Sequence, residues 1–391
     1  MTTKYQIIKI GADNHFYKEV LDTLYHHIAE LGLTIEQSIL EIDENNFKNE
    51  YKGNAPTFCL YFGSHSGSFK NIDLLDILIK DANLILPIAS DLNKFSSQIP
   101  KGLANVNGFE LATSNDIEKL VSCILEGLSL LRLSRRLFIS YKRDESSTVA
   151  IQLFEQLEKN GFDVFLDTHS IRPGEPFQEE LWHRMADTDV VVLLNTPGFL
   201  NSNWTTQELA KANSMSIGIL QVIWPSHKLE RDAELSIPLQ LSDSDFGNKI
   251  FKKPTSYLTP NTISNIISQV ESLRARSLAS RQDNIIAEFI ASSNRVGKKA
   301  DLQSEKFITI KRSDGKELVI IPTVGVPQAF TYNQSEELVA RIKSKNVAGA
   351  FLLFDHRNIR EKWIKHLDWL DNYLPVKTIK IVKAEEWLKT I

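Results

Sequence analysis

The 391-residue chain has only two cysteines, almost no excess charge and no long apolar run. Cys59 and Cys123 stand far apart without a CxxC partner, so neither a disulfide framework nor a thiolate zinc site is expected, and no metal is called for. A formal net charge of −4 exerts no global pull towards nucleic acid or anionic membrane, and nucleic acid is not indicated as a partner. No stretch approaches the roughly 20 apolar residues that a membrane helix needs, so no membrane partner is expected. The opening MTTKYQIIKIGADN lacks a basic flank leading into an apolar run, so a secretory signal is not expected either. What remains is the balance of a soluble globular protein, with 42% apolar and 24% charged residues. The length suits two or three domains, and the cysteine usage fits a reducing cytoplasm.

Hydrophobic periodicity divides the chain into three α/β segments. In residues 1–131, strand-like runs at Tyr5–Ile10, Phe58–Phe62 and Leu84–Ile88 alternate with helical spacing such as Val20, Leu24, Ile28 and Leu31. Residues 136–275 repeat the alternation more sharply. Strands are expected at Arg136–Tyr141, Phe162–Leu166, Val190–Leu194 and Ile217–Ile223, with helices at Val149–Leu157, from Pro176 to Ala186, and from about Thr262. Val190–Leu194 is wholly apolar, as a strand buried on both faces should be. Residues 276–305 read as a helical linker. In 306–391, Ser313-Asp314-Gly315 marks a hairpin between Phe307–Lys311 and Leu318–Ile321. A helix near Ser335–Lys343, strands at Ala350–Phe354 and Thr378–Val382, and a helix at Ile359–Leu374 complete a separate, smaller α/β domain. In that last helix the spacing of Ile359, Trp363, Leu367, Leu370 and Leu374 predicts that the tryptophan is core.

The first two segments share a pattern. Asp81-Ala-Asn-Leu-Ile-Leu-Pro-Ile sits where Asp187-Thr-Asp-Val-Val-Val-Leu-Leu does. Each is followed by an Ile-Pro turn (Ile99-Pro100 and Ile237-Pro238) and a polar start to a closing helix (Asn115-Asp116-Ile117 and Asn261-Thr262-Ile263). A distant duplication and convergence of α/β patterns explain this equally well.

Four stretches of the middle segment fall where a doubly wound sheet binds ligands, outside the carboxyl ends of its strands. Tyr141-Lys142-Arg143 offers an aromatic face and two cations, and Asp167 opens a loop through Glu175 that contains the Pro173-Gly174 turn. Residues 195–203 follow the buried strand. Ser202-Asn-Trp204-Thr-Thr-Gln-Glu208 then starts a helix on which Trp204 and Glu208 share a face. An indole beside a carboxylate suits a ribosyl substrate, the ring as a wall and the anion facing developing positive charge. Spacing alone leaves the plainer reading open. Thr205-x-x-Glu208 also fits a capping box, Asp167 a turn, and Lys142 and Arg143 a solvated surface.

From Arg135 to Ala212 the chain resembles a TIR domain almost end to end. Phe138-Ile-Ser-Tyr141 is similar to the family's opening box. Phe165-Leu-Asp167 with Ile171-Arg-Pro-Gly174 is similar to its second strand and the following BB loop, and Ser202-x-Trp204-x-x-x-Glu208 to the box carrying the glutamate of NAD-cleaving members. The resemblance implies a flavodoxin-like, five-stranded parallel sheet, doubly wound, flanked here by two further α/β domains. It implies NAD as substrate and no resident cofactor. Glu208 would stabilise the oxocarbenium-like state as nicotinamide leaves, and Trp204 would wall the site. Tyr141, Lys142 and Arg143 would contact the nucleotide, and Asp167 and Phe177 would line the pocket. The loop Arg172-Pro173-Gly174-Glu175 would serve assembly through TIR–TIR contacts; some NAD-cleaving relatives carry a glutamate where this chain has Arg172-Pro173.

The first segment lacks the Trp-x-x-x-Glu box, reading Ala89-Ser-Asp-Leu-Asn-Lys-Phe95 instead, so a TIR-like copy there would be degenerate and suited to assembly or sensing. Its Gly63-Ser-His-Ser-Gly-Ser68 loop fits a phosphate cradle or a plain surface loop. His356-Arg-Asn-Ile-Arg360 fits a solvated helix start or a binding site for a ligand or partner. The whole implies an NAD glycohydrolase or cyclase switched on by oligomerisation, with a trigger ligand or protein bound by a flanking domain, resembling bacterial defence effectors. The rivals are a non-enzymatic TIR scaffold and a synthase of a cyclic ADP-ribose signal.

Overall fold

A computed structural model of the protein describes residues 4–53, 55–128, 130–166, 177–199, 212, 215–228, 236–303, 306–342 and 346–391, the side chains of residues 177, 178 and 341 excepted. The chain falls into two compact units: Met1–Leu133 with Ser264–Arg276, and Ser134–Ile263 with Ser277–Ile391.

The first unit holds strands β1 (Tyr5–Gly11), β2 (Ile39–Ile42), β3 (Thr57–Phe62), β4 (Leu84–Ala89) and β5 (Phe109–Glu110). They form one sheet in the order β2-β1-β3-β4-β5, parallel throughout. Its longer helices are α1 (Tyr17–Glu30), α2 (Ile72–Lys80) and α3 (Ile117–Gly127). The repeat of Val20, Leu24 and Ile28 along α1 puts all three into the core, and every residue of β3 is buried. A buried imidazole links two helices here. His27 Nε2 lies 2.8 Å from Glu118 Oε2 on α3, and its Nδ1 lies 3.0 Å from Glu30 Oε2. The short strands β2 and β5 carry too little pattern to have been expected.

The second unit holds two sheets. Strands β6 (Arg136–Ser140), β7 (Asp163–Leu166), β8 (Val190–Asn195), β9 (Gly218–Ile223) and β10 (Ile237–Gln240) form the first. Their order is β10-β9-β8-β6-β7, again all parallel. Counted from its own first strand, this is the flavodoxin-like order 2-1-3-4-5, and the sheet of the first unit has the same order. Helices α4 (Arg143–Lys159), α5 (Phe177–Ala186) and α6 (Pro260–Arg295) accompany it, and α6 divides between the two units. The sequence marked Ile237-Pro238 as a turn, but it opens β10. A proline is tolerated there because β10 pairs on one side only, with β9, so the missing N–H removes no ladder bond from a second neighbour.

Strands β11 (Ala300–Leu302), β12 (Ile308–Lys311), β13 (Glu317–Thr323), β14 (Val347–Phe354) and β15 (Val376–Lys380) build the third sheet in sequential order. The first two pairings are antiparallel and the last two parallel. The expected hairpin joins β12 to β13, with Gly315 at φ 81°. Helices α7 (Ala329–Arg341) and α8 (Glu361–Leu370) follow β13 and β14. The spacing along α8 misassigned Trp363. Leu367 is buried, but Trp363 is 43% exposed at the margin, where its ring stacks on His183 of α5 at 5.5 Å. Periodicity found the face but not where its edge lies.

Candidate functional site

The loops that carry the expected site leave the carboxyl ends of β6, β7 and β8, which are neighbours in the sheet. Tyr141 follows β6 directly and is buried. Lys142 is half-buried, and Arg143 is exposed at the first position of α4. The start of α4 is irregular. Ser146 is non-helical (φ −144°, ψ 21°), and both its amide and its hydroxyl reach back to the Lys142 carbonyl, at 3.0 and 3.2 Å.

That bend turns Glu145 towards the next loop. Its Oε1 accepts from Lys142 Nζ at 2.6 Å, and its Oε2 accepts from the Gly198 amide at 2.9 Å. Partial burial works to raise the pKa of Glu145. Hydrogen bonds from Lys142 and the Gly198 amide, with the Lys142 charge, outweigh it and hold the carboxyl below its usual range. Gly198 has to be glycine for this contact: a Cβ there would collide with the Glu145 carboxylate and the Lys142 ammonium. Sequence reasoning named Lys142 but missed Glu145 and Gly198. The available signal was the Lys142-x-x-Glu145 spacing at a helix start.

Beneath these loops the sheet carries buried amides. Asn195 at the end of β8 donates to the Lys228 carbonyl at 3.1 Å, while its Oδ1 has no partner among the described residues. Gln221 of β9 is fully buried, and neither atom of its carboxamide finds a partner among them. A cleft of about 460 Å³ opens past β9 and β10, lined by Pro225, Ser226, Leu241, Ser242, Asp243, Ser244 and Lys249. None of these was expected to act.

The remaining expected site residues, Asp167, Arg172, Pro173, Gly174, Glu175, Trp204 and Glu208, lie outside the described residues. So does the side chain of Phe177, whose backbone begins α5. The described part of α5 is held by the third-sheet region of the same unit. Arg360 Nη1 donates to Glu180 Oε2 at 2.7 Å, and the Val326 amide donates to Asp187 Oδ1 at 3.1 Å. Asp187 also pairs with Arg136 of β6. Burial, together with the charges of Arg184, Arg360 and Arg136, drives His183 down to about 4 against the pull of Glu180. Among the described residues no cluster of His, Cys, Asp and Glu could hold a metal ion. No helix among them is long and apolar enough to cross a membrane.

Comparison with known proteins names the class to which this flavodoxin-ordered sheet belongs. Residues 137–246 match the TIR domain family, and this part of the chain is a TIR domain. A 2′ cyclic ADP-D-ribose synthase of Bacteroides thetaiotaomicron is 26% identical over 107 residues, or 27% of this chain. A probable 2′ cyclic ADP-D-ribose synthase of Brachypodium distachyon is 27% identical over 109 residues, or 28% of this chain. The matched stretch spans only 37% and 47% of those two relatives. The solved structure of a metazoan TIR-STING receptor from C. gigas, in complex with 2′,3′-cGAMP, aligns over 65% of this chain and 94% of its own. Its identity is 12% and its TM-score 0.27, too low to support any inference.

Proposed function

We propose that the TIR domain cleaves NAD at the nicotinamide–ribose bond. Glu208 is the catalytic residue and Trp204 the wall of the site. Tyr141, Lys142 and Arg143 contact the nucleotide, and Asp167 and Phe177 line the pocket. The reading is supported above all by one observation: the TIR match covers the Trp204-x-x-x-Glu208 box and the Lys142 loop together. As the C–N bond breaks, its electron pair leaves with nicotinamide and positive charge builds on the ribose. A carboxylate facing that charge stabilises it, and removing such a group typically costs about 3–4 kcal/mol.

The nucleophile that reaches the cation sets the product. Water gives ADP-ribose, and an internal hydroxyl gives a cyclic ADP-ribose. The names of the two relatives favour the cyclic outcome. Activity in this reading requires self-association through TIR contacts that involve Arg172–Glu175. Residues 1–131 and 306–391 act as flanking domains that set when assembly occurs, joined to the TIR domain (136–275) by 276–305, and one of them receives the trigger. The hold of the third-sheet region on α5, which begins directly after that loop, is in keeping with such control. A cytoplasmic defence effector is the context this activity fits. The alternative, a scaffold without catalysis, would leave Glu208 as a helix cap and gives no reason for an indole beside it. Incubating the full-length protein with NAD and identifying products by chromatography decides between them. Nicotinamide with ADP-ribose or its cyclic form supports the enzyme, and unchanged NAD at high protein concentration supports the scaffold.

A further inference from the structure

One carboxylate ties the loop after β6 to the loop after β8. Glu145 splits its two oxygens between Lys142 Nζ, at 2.6 Å, and the Gly198 amide, at 2.9 Å. We propose that Glu145 is a positioning residue of the site: it aims the Lys142 ammonium at the pyrophosphate of the bound dinucleotide and pins the turn at Gly198 that follows β8. The assignment rests on the NAD reading above.

Three features distinguish this pair from an ordinary surface salt bridge. An exposed lysine–carboxylate pair at this spacing fixes little, because two long side chains lose entropy and water screens the charge. Here the lysine and glutamate side chains are only 36% and 28% exposed, and the carboxylate is oriented independently by a backbone amide from another loop. Gly198 keeps clear the space where the two charged groups meet, since a Cβ would collide with both. The ammonium is also left with work to do. Of the three N–H donors of a lysine, one goes to Glu145, and no other partner of Lys142 is found among the described residues. Among the described residues nothing takes the other two, which can meet an anion at the carboxyl ends of the strands, where such a sheet binds nucleotides. Glu145 is not the proton-transfer group itself. Both its oxygens are engaged as acceptors, which suits a permanently ionised carboxylate.

The test uses full-length protein with Glu145→Ala, Glu145→Gln and Gly198→Ala. Glu145→Ala is expected to raise KM for NAD by about tenfold to a hundredfold, the range that loss of positioning brings, with a smaller fall in kcat. Glu145→Gln keeps an acceptor for the Gly198 amide and should fall between wild type and Glu145→Ala. Gly198→Ala should reproduce the KM effect with little change in melting temperature, because only the mobile ends of two side chains have to shift. Hydrogen exchange at the Gly198 amide, followed without substrate, reads the tie directly and should accelerate in Glu145→Ala. Wild-type KM in Glu145→Ala, or unchanged exchange at Gly198, would overturn the proposal. A wild-type protein inert to NAD whose Gly198 exchange still responds to Glu145→Ala would instead sink the NAD reading, and the Lys142 role with it.

Discussion

Arg360 donates to Glu180 at 2.7 Å, and the two side chains are only 17% and 12% exposed. Glu180 also accepts from Arg184 Nε at 2.9 Å on the same helix. Burial works to raise its pKa, but the two arginines outweigh it and hold the carboxyl low. This bond, the stack of His183 on Trp363 and the Val326–Asp187 bond fasten α5 to the third-sheet region.

Arg360→Met should therefore destabilise the second unit by about 1.5–3 kcal/mol, the usual worth of a hydrogen bond to a charged group. Urea unfolding followed by tryptophan fluorescence measures it, and Glu180→Gln should cost less once Arg360 is already gone. Additive losses would show that the two side chains do not act as a pair.

His27 makes the first unit sensitive to pH. Burial lowers the pKa of this imidazole, but hydrogen bonds and charge from Glu118 and Glu30 more than compensate and raise it above 6.5. Both ring nitrogens face a carboxylate, which only the imidazolium satisfies with two donors. Its stabilising contribution is thus complete below the unfolded pKa of about 6.5 and is lost as pH climbs through the raised folded value. Wild-type stability should decline over that interval, and His27→Gln should flatten the decline. A wild-type profile no steeper than that of the variant would contradict the assignment.

Gln221 points to a stabilising substitution. A buried polar group without a partner costs about 1–3 kcal/mol, and neither end of this carboxamide finds one among the described residues. Gln221→Met fills a similar volume without polar atoms and should leave the melting temperature unchanged or raise it by several degrees. A fall of similar size would mean that the amide is satisfied in solution.

Assembly should appear in the concentration dependence of activity. If the assembled state lies about 3 kcal/mol above the lone chain, well under 1% of molecules are active at rest, and mass action or a trigger can reverse the balance. Specific activity is expected to climb steeply from nanomolar to micromolar protein. A flat response with a monomer throughout would exclude control by assembly.

Much of this architecture was legible in the sequence because both parallel sheets bury nearly continuous apolar runs. Val190–Leu194 reads as a two-faced buried strand and is one. The edge strands β2, β5, β10 and β11 escaped notice because short or half-exposed strands alternate weakly, whereas the edge strands β7 and β15 were legible. β10 has only partial burial at Ile237 and Leu239 and carries a proline, which in sequence signals a turn. Trp363 failed for a related reason: helical spacing gives the direction of a side chain but not the reach of the partner surface. At the site, the loop residues 141–143 were placed correctly at a strand end by pattern. The bond between Glu145 and Gly198 was not legible, because it joins positions 53 residues apart and no local period encodes it.

The central claim stands on Glu208. Glu208→Gln preserves the shape and much of the capping capacity of the side chain but removes its charge. The decisive measurement is nicotinamide release from NAD by wild type and variant at matched high protein concentration, with melting temperatures recorded alongside. The account predicts a loss of at least about a hundredfold, with melting scarcely changed. Equal release by both proteins, or a variant that loses activity only because it melts far earlier, would contradict it and leave Glu208 as a helix cap.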